Sequence, residues 1–298
     1  MRVTNSMVTG SIVAQLQQLE TQQSTLQAEV SSGLAVTQPS DNPSAFGQVI
    51  QEQALSSQIA QYTANANQAL NLAQSSYAGL NSLTSVYDRA TQLATLGSGS
   101  LGASANSAYA DELNQLIEQA VSTANSQFNG NYIYAGTAVN TAPFTTATDA
   151  NGNITAVTYA GNSAQTSVPV SATSSVAPGT TGATNAGLAT MINDMIAVRD
   201  AMNSGSASAL SAAQTSLAND ENTLSDAVAQ NGAVQLRIQS EQTQQQSGAT
   251  ELSQLISNQT NADLPSTLTK LSQAQLAYQA ALETASKVMQ LSLVDYIH

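Results

Sequence analysis

The residue types that carry most enzyme chemistry are scarce in this sequence. Histidine occurs once, as His298 at the end of the chain, and cysteine does not occur. An interior nucleophile activated by histidine is therefore excluded, as are thiolate metal sites and disulfides. The helical zinc motif His-Glu-x-x-His is also missing. We expect no catalytic, cofactor-binding or metal-binding residues, no cofactor, and a protein that is not an enzyme.

Carboxylates are the remaining candidates for acid–base chemistry. Asp111-Glu112 and Asp220-Glu221 are adjacent pairs, and adjacent residues on a helix do not face each other. The sequence leaves open a carboxylate pair that the fold brings together. The segment Asp149-Ala150-Asn151-Gly152-Asn153 resembles the start of a calcium loop, but the twelfth position, where Glu is needed, is Ala160. We therefore predict a hairpin at this segment.

The chain is strongly acidic, with a net charge of −13 and only six Lys and Arg residues. Six dispersed cations cannot form a stripe that neutralises phosphates, so nucleic-acid binding is not expected. An anionic membrane surface would repel the chain, and no apolar run approaches the roughly 18 residues that span a bilayer. The acidity also fits simple solubility. The N-terminus lacks the apolar core and cleavage site of a signal peptide, so an extracellular location would require export without a cleaved signal.

Two apolar stripes near the chain ends repeat at alternating spacings of four and three residues, which is typical of coiled-coil-like helices. The N-terminal stripe consists of Ile12, Leu16, Leu19, Gln23, Leu26 and Val30. The C-terminal stripe consists of Leu264, Leu268, Leu271, Gln275, Tyr278, Leu282, Ala285 and Met289. Gly33 is a suitable residue to end the first helix.

Further helices are predicted between these stripes. After a connector at residues 34–43, in which Asp41 or Asn42 caps the next helix, the same spacing continues through Tyr62, Ala66, Ala69, Ala73, Ser76, Leu80, Leu83, Tyr87, Ala90 and Ala94. A shorter helix is predicted from about Tyr109 to Phe128. A further helix is predicted from Ala189, with a break at Asn203-Ser204-Gly205. After the break, every seventh position belongs to one seam: Leu210, Leu217, Leu224, Asn231 and Ile238. Ala213, Asp220, Ala227 and Val234 lie between them on the same seam, in which Asp220 and Asn231 are the polar exceptions.

The middle of the chain has a β pattern. Candidate strands are Tyr132-Ile133-Tyr134, Ile154 to Tyr159, and Val168-Pro169-Val170. Asn151-Gly152 predicts a type I′ hairpin between the first two, and Pro169 indicates an edge strand. Residues 171–187 are rich in Ser, Thr and Gly and are predicted to be a loop.

These elements predict a mainly α fold: a long antiparallel, coiled-coil-like helical rod formed by both chain ends, with a small β-rich inserted domain. We divide it into a terminal helical domain (1–33 with 264–298), a rod domain (34–130 with 188–263) and a β-rich outer domain (131–187). Because two thin helices bury only one face each, we expect the terminal pair to become fully ordered when neighbouring subunits cover the other faces. An ordinary intramolecular bundle is the alternative.

Two segments resemble the bacterial flagellin family. The sequence S-G-L-A-V-T-Q-P-S-D-N-P-S-A at 32–45 is similar to the family's N-terminal signature, in which a helix ends in S-G and P-S-D-D-P follows, with Asn42 in place of the second Asp. Residues 268–282 are similar to the matching C-terminal helix. Within the family, residues 130–144 and 289–297 resemble the branch of hook-associated protein 3, with Tyr134 in place of Phe and His298 appended.

The resemblance implies a self-assembling structural adaptor at the junction between flagellar hook and filament, needed for filament attachment and motility. It implies export through the flagellar type III apparatus, assembly as a tubular homo-oligomeric layer between hook-associated protein 1 and flagellin, and a cytosolic export chaperone on the C-terminal helix. The terminal helices would form the inner tube. The predicted assembly residues are Ile12, Leu16, Leu19, Leu26, Val30, Leu268, Leu271, Tyr278, Leu282 and Met289.

Two other functions stay open at this point. The chain could be flagellin itself, which forms the bulk filament. It could also be a secreted enzyme or adhesin that uses the β-rich insertion as a binding head, although that insertion lacks Trp, His and any cluster of charges.

Overall fold

The computed structural model describes the backbone of residues 5–99 and 103–296, with side chains for residues 7, 10–99 and 104–287. Helices dominate these ranges: α1 (Asn5–Ser32), α2 (Pro43–Gly97), α3 (Ala103–Ala124), α4 (Gly182–Ser204), α5 (Ala207–Thr260) and α6 (Leu264–Tyr296). Helix accounts for 73% of the protein, which confirms the predicted mainly α class with a small β region. Within the same ranges, none of the helices combines the length and apolarity that a bilayer crossing requires.

Six short strands form three antiparallel pairs. These are β1 (Gln127–Phe128) with β2 (Asn131–Tyr132), β3 (Phe144–Thr148) with β4 (Ile154–Tyr159), and β5 (Val168–Pro169) with β6 (Ser175–Val176). Internal contacts divide the chain into two compact units. Unit 1 is Met1–Gln58 with Ala249–His298, and unit 2 is Ile59–Gly248. The three-part division drawn from the sequence, which concerns layers of an assembly, stays a prediction.

In unit 1, α1 and α6 pack along each other in antiparallel directions. The connector that follows α1 is joined by backbone bonds to the end of α5 and to the connector before α6: the Ala35 amide donates to the Thr260 carbonyl at 2.7 Å, and the Ala262 amide donates to the Gly33 carbonyl at 2.9 Å. Gly33 ends α1 in a left-handed conformation with φ of +73°, as its position in the sequence predicts. The two terminal helices are therefore fixed to each other at this end.

The connector between α1 and α2 is built around Asp41 and Asn42. The Asp41 carboxylate accepts the Thr37 and Gln38 amides at 2.9 and 3.0 Å, and these bonds lower the pKa of Asp41. The Asn42 side chain accepts the Ala45 amide at 3.1 Å. Asn42, one of the two residues expected from the sequence, is thus the N-cap of α2.

Unit 2 has a conventional apolar core with α4 at its centre. This helix is buried around most of its circumference, and its core side chains include Leu188, Met191, Ile192, Met195, Val198 and Met202. The stripe predicted on α2 points inward, and its residues from Ala66 to Ala94 are all buried. The heptad positions of α5 are also buried, including the polar Asn231 and the next position in the series, Gln245. The sequence spacing therefore identified the core faces of both long helices.

The helix α4 begins earlier than the sequence predicted. We expected a loop up to residue 187, but Gly182 is already helical because the Thr181 side chain accepts the Thr184 amide at 3.1 Å and caps the helix. The predicted break near Asn203 is confirmed: Gly205 ends the helix with φ of +66°. The α3 helix ends at Ala124, and Phe128 belongs to β1 instead.

The prediction of a type I′ turn at Asn151-Gly152 was wrong. Such a turn needs positive φ at both central residues, and Asn151 does not have it, whereas Asn129 (+51°) and Gly130 (+82°) do. The two-residue hairpin is therefore the one between β1 and β2. At the other hairpin, the Asp149 carboxylate accepts the Asn151 and Asn153 amides, both at 2.8 Å, and closes a wider loop between β3 and β4. Strand β4 pairs with β3, whereas β2, which ends at Tyr132, pairs with β1.

Polar side chains of α4 hold the β region against the core. Asn185 donates to the Tyr134 carbonyl at 2.9 Å, and Asn193 exchanges two hydrogen bonds with the backbone of Val157. The buried Tyr134 hydroxyl in turn donates to the Ser76 carbonyl of α2 at 2.8 Å. Gly79 leaves the space that this ring occupies, because a Cβ there would overlap the Tyr134 hydroxyl. The β-rich segment is thus an integral part of unit 2.

Candidate assembly surface

The two units differ sharply in where they place apolar side chains. Among the described side chains, twelve large apolar residues are exposed, and nine of them belong to unit 1: Met7, Val13, Ile50, Leu55, Leu255, Leu264, Leu268, Leu276 and Leu282. Of the buried apolar residues whose side chains the structure describes, only four belong to unit 1: Leu26, Val49, Ala274 and Ala285. Both recognised apolar core clusters lie in unit 2. Unit 1 therefore leaves most of its large apolar side chains in contact with solvent.

The predicted stripe on α1 faces inward. Leu26 is buried, and Ile12, Leu16, Leu19 and Val30 are half-buried, whereas most of the residues between them are exposed. The four–three spacing thus marks the side of α1 that is covered within a single chain. The contribution of this stripe to contacts between subunits stays a prediction, and its half-buried residues retain accessible surface for such contacts.

The predicted stripe on α6 divides between two faces. Leu271 and Tyr278 are half-buried, whereas Leu268 and Leu282 are 49% and 44% exposed. The covered face consists instead of mostly smaller residues at four–three spacing: Thr267, Leu271, Ala274, Tyr278, Ala281 and Ala285. Met289, the last predicted assembly residue, lies outside the described side chains.

The large leucines of α6 form a second, uncovered face, which we call the leucine face. It consists of Leu264, Leu268, Leu276 and Leu282, with exposed fractions of 41%, 49%, 66% and 44%. On a helix of 3.6 residues per turn, Leu264, Leu268 and Leu282 lie beside the covered stripe, and Leu276 lies on the side of the helix opposite that stripe. Sequence reasoning missed Leu276, although a leucine one residue after Gln275 was a visible signal of a wider apolar surface.

This arrangement supports association. Burying a leucine side chain is worth about 1.5–3 kcal/mol, so an uncovered row of them favours contact with another apolar surface. Among the described residues, no group of three or more His, Asp or Glu side chains is arranged to hold a metal ion. In the calcium-like segment, the Asp149 carboxylate accepts hydrogen bonds from the hairpin amides. A hydrogen bond from the Asn153 side chain is the main reason that the pKa of Asp149 is lowered.

The sequence is similar to flagellar proteins. Residues 3–139 match the bacterial flagellin N-terminal helical region. Flagellar hook-associated protein 3 of Salmonella typhimurium is 30% identical over 173 residues, which are 56% of this chain and 54% of that protein. The chain thus spans about half the length of the curated relative that it matches.

Solved structures share the fold at low sequence identity. A putative flagellar hook-associated protein from Vibrio parahaemolyticus is similar with a TM-score of 0.66 and 18% identity, over 74% of this chain and 100% of that one. The FlgL protein of Bacillus cereus is similar with a TM-score of 0.58 and 18% identity, over 70% of this chain and 99% of that one. Residues 3–139 are therefore similar to the N-terminal helical region of bacterial flagellins, and the chain has the fold of the flagellar hook-associated proteins.

Proposed function

We propose that this chain is a structural adaptor at the junction between the flagellar hook and the filament, and that it has no enzymatic activity. The observation that carries the proposal is the uncovered apolar surface of unit 1, concentrated in the leucine face of α6. A soluble chain that exposes such a surface requires a partner, and the similarity to hook-associated protein 3 supports a flagellar one.

The proposed mechanism is mutual covering of terminal helices by copies of the chain. The α1–α6 pair is closed on one side by its own small residues, so Leu268, Leu276 and Leu282 are free to pack against neighbouring subunits. The half-buried residues Ile12, Leu16, Leu19, Val30, Leu271 and Tyr278 would complete the same seams. Unit 2, with its own core, would keep its structure whether or not the terminal helices are engaged.

The partners follow from the same proposal. A junction layer must contact two different polymers, which we propose are built of hook-associated protein 1 and flagellin. Before assembly the leucine face of α6 would need protection in the cytosol, and an export chaperone covering this helix would supply it. The chain would then leave the cell through the flagellar export apparatus and reside on the flagellum.

A deletion of the gene tests the proposal. We expect cells that carry hooks without filaments and that release flagellin into the medium, because the filament has no adaptor to attach to. Electron microscopy and analysis of the medium would measure both effects, and re-expression of the intact chain should restore filaments. Normal filaments on the deletion strain would contradict the proposal.

The alternative that the chain is flagellin itself makes a different prediction for the same cells. Immunogold labelling of the chain should be confined to one point next to the hook if it is the junction adaptor. Labelling along the whole filament would support bulk flagellin. In that case, purified chain should also polymerise alone into long filaments.

A further inference from the structure

A carboxylate lies on the buried seam of α5. Asp220 follows Leu217 and precedes Leu224 on the inward face of that helix, and it is 7% exposed. Its Oδ2 atom has no hydrogen-bond partner among the described residues. A buried carboxylate oxygen without a donor is costly when the group is charged, and a proton on that group relieves the cost.

A second carboxylate faces it from the neighbouring helix. Asp194 on α4 lines one surface groove with Ala213 and Ser216 of α5, and Ser216 is about one helical turn from Asp220. Asp194 is close enough to Asp220 for its charge to act on that carboxyl. The two helices are close here, since a Cβ at Gly187 of α4 would lie 2.7 Å from a methyl group of Thr223 on α5. Two carboxylates in contact form a hydrogen bond only if one of them carries a proton, and they repel each other if both are ionised.

Two side chains on the surrounding helices, one of them cationic, donate their hydrogen bonds to other partners. On α2, Tyr87 uses its hydroxyl to bond the Leu217 carbonyl at 3.0 Å, and burial followed by the charges of Glu221, Asp220 and Asp88 raises its pKa. Arg199, the arginine of α4, donates hydrogen bonds to the Asp200 and Asn114 side chains and to the Ile154 carbonyl. Burial, and then the charge of Asp194, raises the pKa of Asp220 to about 7.

We propose that Asp194 and Asp220 form a proton-sensitive latch between α4 and α5. A proton shared by the two carboxylates holds the helices together, and its loss above neutral pH places two negative charges in the buried seam and loosens α4 from α5. The latch is a property of unit 2 alone. A test of the latch is therefore independent of any test of the assembly proposed for the terminal helices.

The direction of the pH dependence follows from proton binding. In the unfolded chain, Asp220 has an ordinary pKa of 3.8, so between that pH and about 7 the folded state holds a proton that the unfolded state releases. Stability therefore falls as the pH rises through this window, and the loss is complete above it. Asp41 and Asp149 have lowered pKa values, so their titration lies below the window.

The test compares thermal unfolding of the full chain with that of D220N between pH 5.5 and 8.5. We expect the Tm of the unmodified chain to fall by roughly 4–8 °C across this range, and that of D220N, which keeps the shape of the side chain, to stay nearly constant and to be higher at pH 8.5. The variant D226N removes the same charge from an exposed position of α5, so it should follow the unmodified chain.

Two spectroscopic measurements complete the test. Difference infrared spectroscopy should show a protonated carboxyl band that disappears near neutral pH and is missing in D220N. In D194N, which keeps Asp220 buried but removes its acidic neighbour, the band should disappear at a lower pH. The protection factors of α4 amides, which correct for the intrinsic rise of exchange with pH, should fall above neutral pH in the unmodified chain only. A pH slope of Tm that persists in D220N, a carboxyl band that D220N retains, or a band that disappears at the same pH in D194N as in the unmodified chain would overturn the latch.

Discussion

Replacing Leu268, Leu276 and Leu282 together by Gln is expected to abolish filament attachment while the chain itself stays folded. The three side chains are roughly half exposed in the single chain, so covering them in an assembly would gain about 1 kcal/mol each. A total of about 3 kcal/mol corresponds to a loss of association of more than about a hundredfold. Motility and the number of filaments per cell would measure the effect.

The matched control is the triple substitution of the same leucines by Met. Methionine keeps the apolar surface and nearly the same volume, so these cells should swim. Circular dichroism and the Tm of unit 2 should be the same for both variants as for the unmodified chain. Filaments that form normally with the Gln variant would mean that the leucine face is not an assembly surface.

Replacing Arg199 by Met is expected to give the largest loss of stability in unit 2. The guanidinium is 4% exposed and donates to the Ile154 carbonyl at 2.7 Å and to the Asn114 side chain at 2.8 Å, so it joins α4 to β4 and α3. Methionine fills similar space but leaves both acceptors without a donor. We expect the free energy of unfolding to fall by about 3 kcal/mol, which lowers Tm by roughly 6–12 °C.

Arg89 provides the matched control for this prediction. It pairs with Glu112 at 2.6 Å, but both side chains are more than one-third exposed, so water replaces the pair when it is broken. Replacing Arg89 by Met should therefore change stability by less than about 1 kcal/mol. Chemical denaturation followed by circular dichroism would compare the two variants. Equal losses in both would show that burial of Arg199 does not set its contribution.

The long helices of this fold were predictable because their core faces repeat over many turns. The stripe from Ala66 to Ala94 on α2 and the heptad positions from Leu210 to Ile238 on α5 are buried almost as the spacing predicts. Even the polar residues Ser76, Asp220 and Asn231 are buried at their predicted positions. Because many turns share one apolar face, a single polar residue does not change which side of the helix is buried.

The short strands could not be placed in the same way, because two-residue strands carry no periodicity. The β region contains two Asn-Gly pairs, and the sequence offered no means of ranking them. The structure forms the two-residue turn at Asn129-Gly130, while the Asp149 side chain draws the chain around Asn151 into a wider loop. The polar residues of α4 that bind the β region were missed because their partners are backbone groups distant in sequence.

The candidate surface was predicted in part. The sequence identified α6 as an apolar helix, but its leucines and alanines could not be sorted into faces, because both are apolar and both recur at helical spacing. The structure covers Ala274 and Ala285 together with Leu271, and leaves Leu264, Leu268, Leu276 and Leu282 exposed. The Asp194–Asp220 pair was equally inaccessible, since only the packing of α4 on α5 brings these two residues together.

Assembly-dependent protection of Leu276 tests the central proposal most directly. The chain contains no cysteine, so L276C provides a single thiol whose reaction with a maleimide can be timed in dilute purified chain and in isolated flagella. Leu276 is 66% exposed, so labelling should be fast in the dilute chain and about tenfold or more slower in flagella. A274C, at a position that is 6% exposed, should react slowly in both. If L276C reacts as fast in flagella as in the dilute chain, the leucine face is not covered by neighbouring subunits.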